Sequence, residues 1–506
     1  MTTEQFTHRF MDPLRSNRML SSSEETVIRQ SYWETHSSIL RLEIQIKDLI
    51  HRRHALCNHR QMLATLLSPV RRIPPELLGE IFRYCLPQNY CEEGSHKAVM
   101  LPSHICKHWR DVALSTQTMW TNIFLHVTDK TFESRAALVT TWFSRSGGSP
   151  LSFTLKGQQN VGPIMTFLLQ YCSRWQNIDL NVPFEILRCL EATEGHFERL
   201  ETVQIHAMHA MHAATPYSIE DIFGLAPRLR KVSLDGSLIL GGFSGSWAQL
   251  AELDAGYTSY TIGQCLALLQ YMRNLQTLRI NVHGGVVEGH RHFVISHLLV
   301  SLHVRAEGAD YMLFDCITLP RLRDLSVDEI DSEWPQSQFI SFLERSSPPL
   351  QSFSFGIPYR TGDVWDDNVI QILQHIPSLR SLCLVYNCCE VNAGSFLEQL
   401  SPRRLDDGTV DCLIPKLNSI SIQLDSQLQT PNYEALKNMV LSRCSLAHDT
   451  NAGDNISSPI ERISKVEVGC YYDPEWDLDD VSWHNEVSAI LAPLQEVVDT
   501  VRVVIY

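Results

Sequence analysis

One hydrophobic phrase recurs along the chain beyond residue 170. It consists of a leucine, two variable residues, an apolar residue, a polar or small residue and a second apolar residue, as in the stretch from Leu275 to Ile280. Its final residues alternate with a period of two, which is typical of a short β-strand with one buried face. The clear copies begin at Leu200, Leu229, Leu275, Leu322, Leu350, Leu379 and Leu417, and weaker copies begin at Trp175, Leu250 and Leu299.

The spacing of these copies indicates a repeat architecture. Between Leu229 and Leu379, neighbouring copies start 21 to 29 residues apart, which is the period of leucine-rich repeats. Apolar residues with helical spacing precede several copies, and prolines just ahead of the leucine mark the change from helix to strand. A doubly wound α/β domain also alternates helices with strands, but it rarely keeps one phrase so constant. The pattern therefore predicts an α/β fold in which residues 127–506 form an irregular leucine-rich-repeat solenoid, or horseshoe.

The spacing loosens near the C-terminal end, where the next clear phrases begin at Leu417 and Ile463. Two insertions rich in Asp, Asn and Gly, residues 405–412 and 445–458, are predicted to be surface loops. A final apolar strand is expected within residues 498–505. It would cap the array, because a stack of repeats otherwise exposes its core at the last repeat.

The N-terminal part of the chain has a different pattern. Residues 1–37 are polar and mixed, with Ser21 to Glu25 as a possible helix start, and we expect much of this segment to be loosely ordered. Residues 38–70 are predicted to form an amphipathic helix with an a/d heptad that Arg53 and Arg60 interrupt. Two basic residues on the apolar seam indicate either a helix that packs on its own protein, which we favour, or a weak coiled-coil dimer through residues 38–67.

Two short helices are predicted within residues 71–126. Pro75 suits the first position of the first helix, where a missing N–H costs nothing, and Ser103 is the predicted N-cap of the second. A pair of helices this small buries little surface alone, so either an ordinary helical hairpin or a docking module would fit. The two apolar stripes comprise Leu78, Ile81, Phe82, Cys85 and Leu86, and then Ile105, Cys106, Trp109, Val112 and Ala113.

The order of residues in 71–126 resembles an F-box, the short helical module that docks on the Skp-type adaptor of a cullin-RING ubiquitin ligase. Irregular leucine-rich repeats often follow an F-box, so the resemblance extends to the repeats. A long loop, Gln88 to Met100, separates the two helices. The motif residues are Ile73-Pro-Pro-Glu76, Ile81-Phe82, Cys106-x-x-Trp109-Arg110 and Trp120. The resemblance implies that Ile73, Pro74, Pro75, Leu78, Ile81, Phe82 and Trp109 contact or support the adaptor.

Composition narrows the function classes. A hydrophobic content of 44% and a charged content of 20% in 506 residues are those of a packed soluble protein. The net charge of −15 repels phosphate backbones, so no nucleic-acid partner is expected. The sequence has no signal-peptide pattern and no apolar run of 18 residues, and its 14 cysteines are scattered. We therefore expect a cytoplasmic or nuclear protein, or one found in both compartments, without membrane attachment.

Few residues suggest catalytic or metal chemistry. His206, His209 and His212 have the spacing of one helical face, but a polar surface loop accounts for them better than a metal site. The acidic run 473–480 is interpreted as a solvated loop. The sequence has no phosphate loop, no zinc-protease motif, no serine-hydrolase elbow and no RING-type Cys/His spacing. We therefore expect no catalytic residues, no metal and no cofactor.

Together these patterns predict a non-enzymatic, substrate-recruiting adaptor, for which the family resemblance supplies the role in ubiquitination. One alternative is a leucine-rich-repeat scaffold that acts outside any ubiquitin ligase. Another is a hydrolase or transferase within residues 127–506, which would need a deep pocket with clustered titratable groups. The residues expected to bind the substrate protein are the outward-facing ones of the best phrases: Lys231, Ser233, Thr277, Arg279, Asp324, Ser326 and Ser381, with Cys383 beside them.

Overall fold

The computed structural model describes most of the chain. The described residues are 11, 15–16, 18–87, 95–193, 196–208, 217–218, 223, 226–235, 238–240, 247–283, 294–306, 312–328, 336–357, 365–386, 394–406, 410–424, 432–449, 460–470 and 480–505. The chain divides into two compact units, residues 1–81 and 82–506. Among the described helices, none is long and apolar enough to cross a membrane.

A 45-residue helix, α1 (Ser22–Leu66), dominates the first unit. It begins with a capping box, in which the Ser21 hydroxyl accepts from the Glu24 N–H and the Glu24 carboxylate accepts from the Ser21 N–H. This capped start confirms the possible helix start at Ser21 to Glu25, and it places residues 22–37, part of the segment expected to be loosely ordered, inside the helix. The sequence feature that marks the start of α1 is the polar run at Ser21, because helix-capping residues are polar and do not follow the apolar pattern.

No side chain of α1 is buried. The apolar seam that was predicted to pack on the protein itself therefore lies exposed along the helix. The helix ends at Leu66, four residues before the end of the predicted range 38–70, and a short 3-10 turn, Pro69–Arg72, follows.

Three short helices follow: α2 (Pro75–Tyr84), α3 (Ser95–Met100) and α4 (Lys107–Ser115). The start of α2 at Pro75 is confirmed. The predicted cap of α4 is wrong, because the Cys106 sulfur, not Ser103, accepts from the Trp109 N–H, at 3.5 Å. Ser103 instead lies buried in a 3-10 turn, Leu101–His104, and its hydroxyl donates to the Met100 carbonyl at 2.7 Å.

The second unit contains a 14-stranded sheet in which every neighbouring pair is parallel and the strand order follows the chain order. The first strand begins at Asn122, inside the range predicted for the helical module. The strands are β1 Asn122–Val127, β2 Leu151–Gly157, β3 Trp175–Pro183, β4 Thr202–Met208, β5 Lys231–Asp235, β6 Glu252–Thr261, β7 Thr277–His283, β8 Ser301–Ala306, β9 Asp324–Asp328, β10 Ser352–Ile357, β11 Ser381–Tyr386, β12 Ser419–Leu424, β13 Lys465–Cys470 and β14 Thr500–Ile505.

The first apolar residue of each phrase pairs in register with the same position of the next strand. These residues form one buried column across the sheet up to Val466, and the column ends at the half-buried Val501 of the edge strand. The sequence phrase is therefore confirmed as the strand unit of the sheet. The column runs Ile123, Phe153, Ile178, Val203, Val232, Leu253, Leu278, Leu302, Leu325, Phe353, Leu382, Ile420, Val466 and Val501.

Helices in the connections cover the buried face of the sheet. For example, Phe314 and Phe339 of two helices lie 5.1 Å apart, and Phe339 stacks on Phe353 of β10 at 5.8 Å. Helices precede Leu275, Leu350 and Leu379, so the helical spacing seen ahead of several copies is confirmed at these three. The helices are α5 Phe132–Arg145, α6 Val161–Leu169, α7 Phe184–Leu187, α8 Ile262–Tyr271, α9 Met312–Cys316, α10 Gln336–Ser346, α11 Trp365–Gln374, α12 Gly394–Gln399, α13 Tyr433–Asp449 and α14 Asp480–Leu491.

Short elements complete the described connections. Two-residue ladders join Val294–Ile295 to Ile317–Thr318, Tyr217–Ser218 to Leu238–Ile239, and Arg403–Arg404 to Val410–Asp411. Further 3-10 turns are Gln117–Trp120, Cys172–Arg174, Arg188–Thr193 and Ala492–Glu496.

The predicted features near the C-terminal end have mixed outcomes. The final strand is confirmed as β14, at the edge of the sheet. The loop predicted at 445–458 is wrong in its first part, because α13 continues to Asp449, and residues 450–458 lie outside the described part. The insertion 405–412 carries one strand of a short ladder at Val410–Asp411, and its residues 407–409 are likewise outside the described part.

Trp120 connects three elements at the start of the sheet. Its indole N–H donates to the Ala113 carbonyl of α4 at 2.9 Å, and its ring packs edge-on against Trp142 of α5 with centroids 4.7 Å apart. The Trp142 N–H donates in turn to the Asn122 carbonyl of β1 at 3.0 Å. The Arg145 guanidinium lies 4.5 Å above the Trp120 ring. Trp120, a residue of the F-box-like motif, is thus fully buried.

Arg443 of α13 is fully buried. Its guanidinium donates to the Leu400 and Ile414 carbonyls, each at 3.0 Å, and to the Cys412 sulfur at 3.2 Å. Burial lowers the pKa of Arg443. Within the described residues no carboxylate pairs with Arg443, so backbone carbonyls supply most of its hydrogen bonding.

Candidate interaction surfaces

The first unit contains part of the F-box-like stretch, in which α2 exposes an apolar row. Leu77 is 59% exposed and Ile81, one turn later, is 44% exposed. Pro74 and Pro75 ahead of them are also exposed, and Ile73 is half-buried. Leu78 is buried, so the predicted stripe has two roles: Leu78 packs inside the protein, while Ile81 remains accessible.

The second unit contains the rest of that stretch. Phe82 is buried, and its ring lies 4.9 Å from the half-buried Trp109 ring. Ile105 is 64% exposed and Leu101 is also exposed, although the sequence pattern had placed Ile105 on a buried stripe. The chain turns before Ile105 and α4 begins only at Lys107, which explains why helical spacing failed there. Trp109 is therefore held against Phe82 with part of its surface accessible.

The outward face of the sheet brings the predicted substrate-binding residues together. Every one of them lies on this face, because each is next to the buried column residue of its strand and side chains alternate between the two faces. They form two adjacent rows. One row runs Lys231, Glu252, Thr277, Ser301, Asp324, Ser352 and Ser381, and the other runs Ser233, Asp254, Arg279, His303, Ser326, Ser354 and Cys383.

Charged residues of opposite sign alternate on neighbouring strands of this face. The Lys231 ammonium lies 2.9 Å from the Glu252 carboxylate, and the Arg279 guanidinium lies 4.0 Å from the Asp254 carboxylate. Burial raises the pKa of Asp324, and nearby Arg323 offsets part of that rise. Exposed pairs of this kind contribute about 0–1 kcal/mol each. The outward face of the sheet therefore carries both positive and negative charges.

A third row, which the sequence analysis missed, continues the same face two residues further along each strand. On β9 it contains Asp328, whose carboxylate lies 3.0 Å from the His303 Nε2 and accepts from the Ser326 hydroxyl at 3.0 Å. On β5 it contains Asp235, which lies 3.2 Å from the His206 Nδ1. The period-two alternation already indicated these positions, because it extends past the second apolar residue of the phrase.

The surroundings of the Asp328 carboxyl shift its pKa. Burial alone would raise its pKa, but hydrogen bonding and charge from His303, the Ser326 hydroxyl and the charge of Arg279 outweigh burial, so the pKa lies below its ordinary value. A carboxyl with a lowered folded-state pKa stabilises the fold above its unfolded pKa of about 4, and this contribution disappears as the pH falls through the folded value.

We therefore expect acid to destabilise the wild type more than Asp328→Asn. Urea unfolding at about pH 5 and about pH 2.5, on either side of an ordinary aspartate pKa, measures the difference between the two pH values. Asp254→Asn is the matched control, since this aspartate is more exposed and its partner Arg279 is 4.0 Å away. Equal acid sensitivity of wild type and Asp328→Asn would contradict the role assigned to Asp328.

Small polar side chains occupy the face on strands β10 to β12. Ser352, Ser354, Ser419 and Ser421 surround Cys383, and all five side chains are half-buried. Burial raises the pKa of the Cys383 thiol, although Ser354 and Ser421 lower it through hydrogen bonds. The thiol is therefore neutral near pH 7, and these five side chains carry no charge.

His206 lies on β4 and faces two carboxylates. Its Nε2 is 4.0 Å from Asp179, in addition to the Asp235 contact. The loop expected around the three histidines is thus wrong for His206, while His209 and His212 lie outside the described residues. In the described part of the chain, no group of three or more His, Cys, Asp or Glu residues could hold a metal ion.

An open cleft of about 450 Å³ lies where the first three strands end. His126, Lys156 and Asn181, each in the third row of its strand, line it together with Asp129. Asp129 accepts from the Asn160 amide at 2.7 Å. The cleft therefore extends the polar face of the sheet towards the strand ends and offers both basic and acidic groups.

Comparison with known proteins gives no assignment. No protein-family model matches the chain, and no curated protein matches it.

Proposed function

We propose that this protein is a substrate-recruiting subunit of a cullin-RING ubiquitin ligase. Its F-box-like stretch would bind a Skp-type adaptor, and the outward sheet face would bind a target protein. The observation that carries the proposal is the exposed apolar row of α2, because Leu77 and Ile81 lie in the motif that resembles an F-box and are not covered. The accessible part of Trp109, in the other half of the motif, supports the same role.

The sheet supports the second half of the proposal. Fourteen parallel strands in chain order, each from one copy of the phrase or from a related segment, are what stacked leucine-rich repeats would produce. We therefore propose that residues 122–505 form such a solenoid. Its polar face carries both charge signs and a serine-rich area, which suits a protein surface better than a polyanion.

The adaptor contact can be tested with one substitution in each unit. We expect Trp109→Ala to weaken adaptor binding by about 2 kcal/mol, or roughly 30-fold, because truncating a large aromatic anchor has effects of this size. Ile81→Asp should weaken binding by a similar amount, since it places a charge on the exposed row of α2. Calorimetry with purified Skp-type adaptor measures both effects.

The controls separate docking from folding. Trp33→Ala removes an exposed tryptophan of α1 and should leave adaptor binding unchanged. Thermal unfolding of each variant shows whether loss of the Trp109 ring destabilises the fold through Phe82. If Ile81→Asp and Trp109→Ala remain folded and bind the adaptor as the wild type does, the docking assignment is wrong. Failure of the wild type to co-purify with adaptor and cullin would favour a scaffold outside any ubiquitin ligase.

A further inference from the structure

The apolar seam of α1 is exposed over most of a long helix. Its 45 residues extend about 67 Å at 1.5 Å per residue. Contiguous exposed apolar surface on this scale marks an interaction site rather than an ordinary solvated face. The exposed aliphatic residues at its a and d positions are Ile39, Leu42, Ile46, Leu49, Leu56 and Leu63.

The residue types on the seam indicate a two-stranded coiled coil. Isoleucine occupies positions a at 39 and 46, whereas leucine occupies positions d at 42, 49, 56 and 63. β-Branched residues at a with leucine at d favour two strands. The next two a positions are occupied by Arg53 and Arg60. The preferred orientation of the two helices therefore depends on which residues of the second copy face these arginines.

A parallel pair would place identical arginines in the same core layer. Arg53 would face Arg53 of the second copy and Arg60 would face Arg60, and such like-charge contacts in a core are unfavourable. In an antiparallel pair with complete overlap, the two copies of Arg53 lie about 27 Å apart along the axis and those of Arg60 about 48 Å apart. Both separations exceed the Debye length of about 8 Å at physiological salt.

Complete antiparallel overlap also keeps the seam in register. Antiparallel coiled coils pair an a residue of one helix with a d residue of the other. A two-fold axis at residue 44, the midpoint of Ser22–Leu66, pairs Ile46 with Leu42 and Ile39 with Leu49 of the second copy. It also places Arg53 opposite Thr35 and Arg60 opposite Ile28, near Glu25. Each a or d residue from Glu25 to Leu63 therefore faces an a or d residue of the second copy, and no arginine faces an arginine.

The charges of the two halves of α1 complement each other in this orientation. The first half carries more acidic residues than basic ones: Glu24, Glu25, Glu34 and Glu43 against Arg29 and Arg41. The second half has the opposite balance: Lys47, Arg52, Arg53 and Arg60 against Asp48. An antiparallel pair sets each acidic half against a basic half, whereas a parallel pair sets like against like.

We propose that a second copy of this chain covers the seam, and that the two α1 helices form an antiparallel coiled coil. The protein would thus be a homodimer that presents two copies of everything beyond residue 67. The dimer is independent of the proposed adaptor function, because it uses only residues 22–66.

Two isoleucines of α1 provide a matched test of the seam. Ile46 is 55% exposed and lies at position a, whereas Ile44 is 70% exposed and lies at position f on the opposite side. Light scattering coupled to size-exclusion chromatography of the full chain should show a dimer for the wild type and for Ile44→Asp. Ile46→Asp should weaken dimerisation at least about tenfold. A monomeric wild type at all concentrations, or equal effects of the two substitutions, would overturn the proposal.

Cysteine cross-linking tests the orientation. Ile39→Cys and Leu49→Cys are made in separate full-length chains that also carry Cys57→Ser, because Cys57 is an exposed thiol on α1. Mixing the two chains under mild oxidation should give a 39-to-49 disulfide, identified by peptide mass spectrometry, while neither chain alone should cross-link at the new cysteine. Cross-linking of each chain with itself would instead show a parallel pair and overturn the proposed orientation.

Discussion

Arg443→Ala is expected to lower the free energy of unfolding by about 3–5 kcal/mol, one of the two largest effects we predict for a single substitution. The side chain is fully buried and donates to two backbone carbonyls and one thiol. Each buried carbonyl that loses its donor costs about 1–3 kcal/mol. The cavity left by the missing side chain adds to this loss. Urea denaturation followed by circular dichroism measures the difference.

Two further substitutions show whether geometry or charge matters at Arg443. Arg443→Lys keeps the charge but cannot match the guanidinium fork that reaches Leu400, Ile414 and Cys412, so we expect an intermediate loss. Arg462→Ala removes an exposed arginine that pairs with Asp499 at 2.8 Å and should cost about 1 kcal/mol or less. A loss for Arg443→Ala no greater than that for Arg462→Ala would contradict the structural role of the buried side chain.

Trp120→Ala should destabilise the second unit by about 3–5 kcal/mol, the usual cost of truncating a buried tryptophan. The indole contacts α4 through one hydrogen bond and Trp142 of α5 through one ring contact, and Trp142 in turn bonds to β1. Its removal leaves the Ala113 carbonyl without its donor and exposes the Trp142 ring to a cavity. The same denaturation experiment gives the value.

Trp120→Phe separates packing from hydrogen bonding, because it keeps an aromatic ring and removes the N–H. We expect it to cost about 1–3 kcal/mol, the range for a buried carbonyl that loses its partner. Trp33→Ala, on the exposed face of α1, should leave the unfolding midpoint unchanged. Equal stability of Trp120→Ala and wild type would show that the helices and the sheet do not depend on this contact.

The strands were predictable from sequence because burial of one face imposes a period of two. Leu275, Leu278 and Ile280 show this directly, since all three are buried. The same alternation located the polar face, including Lys231 and Arg279. The alternation did not identify Asp328, because the phrase was taken to end at its second apolar residue, whereas strand β9 continues to Asp328.

Features that depend on polar contacts could not be predicted in the same way. The start of α1 near Ser21 was only a possibility from sequence, because the capping box that fixes it carries no apolar periodicity. A cysteine sulfur caps α4 at Cys106, and thiols are weak acceptors that sequence rules rank below Ser. The burial of Arg443 depends on carbonyls 43 and 29 residues away in the chain, and their proximity arises only once the fold has formed.

The strand order of the sheet has a consequence for synthesis. Each of the fourteen strands pairs only with strands that directly precede or follow it in the sheet order, and that order is the chain order. A strand leaving the ribosome therefore meets an edge that is already complete, and pairing does not wait for distant sequence. The sheet can grow from Asn122 towards Ile505 as the chain is made. Helices α3 and α4 precede the sheet in the chain, so they are the first part of the second unit to become available to a partner.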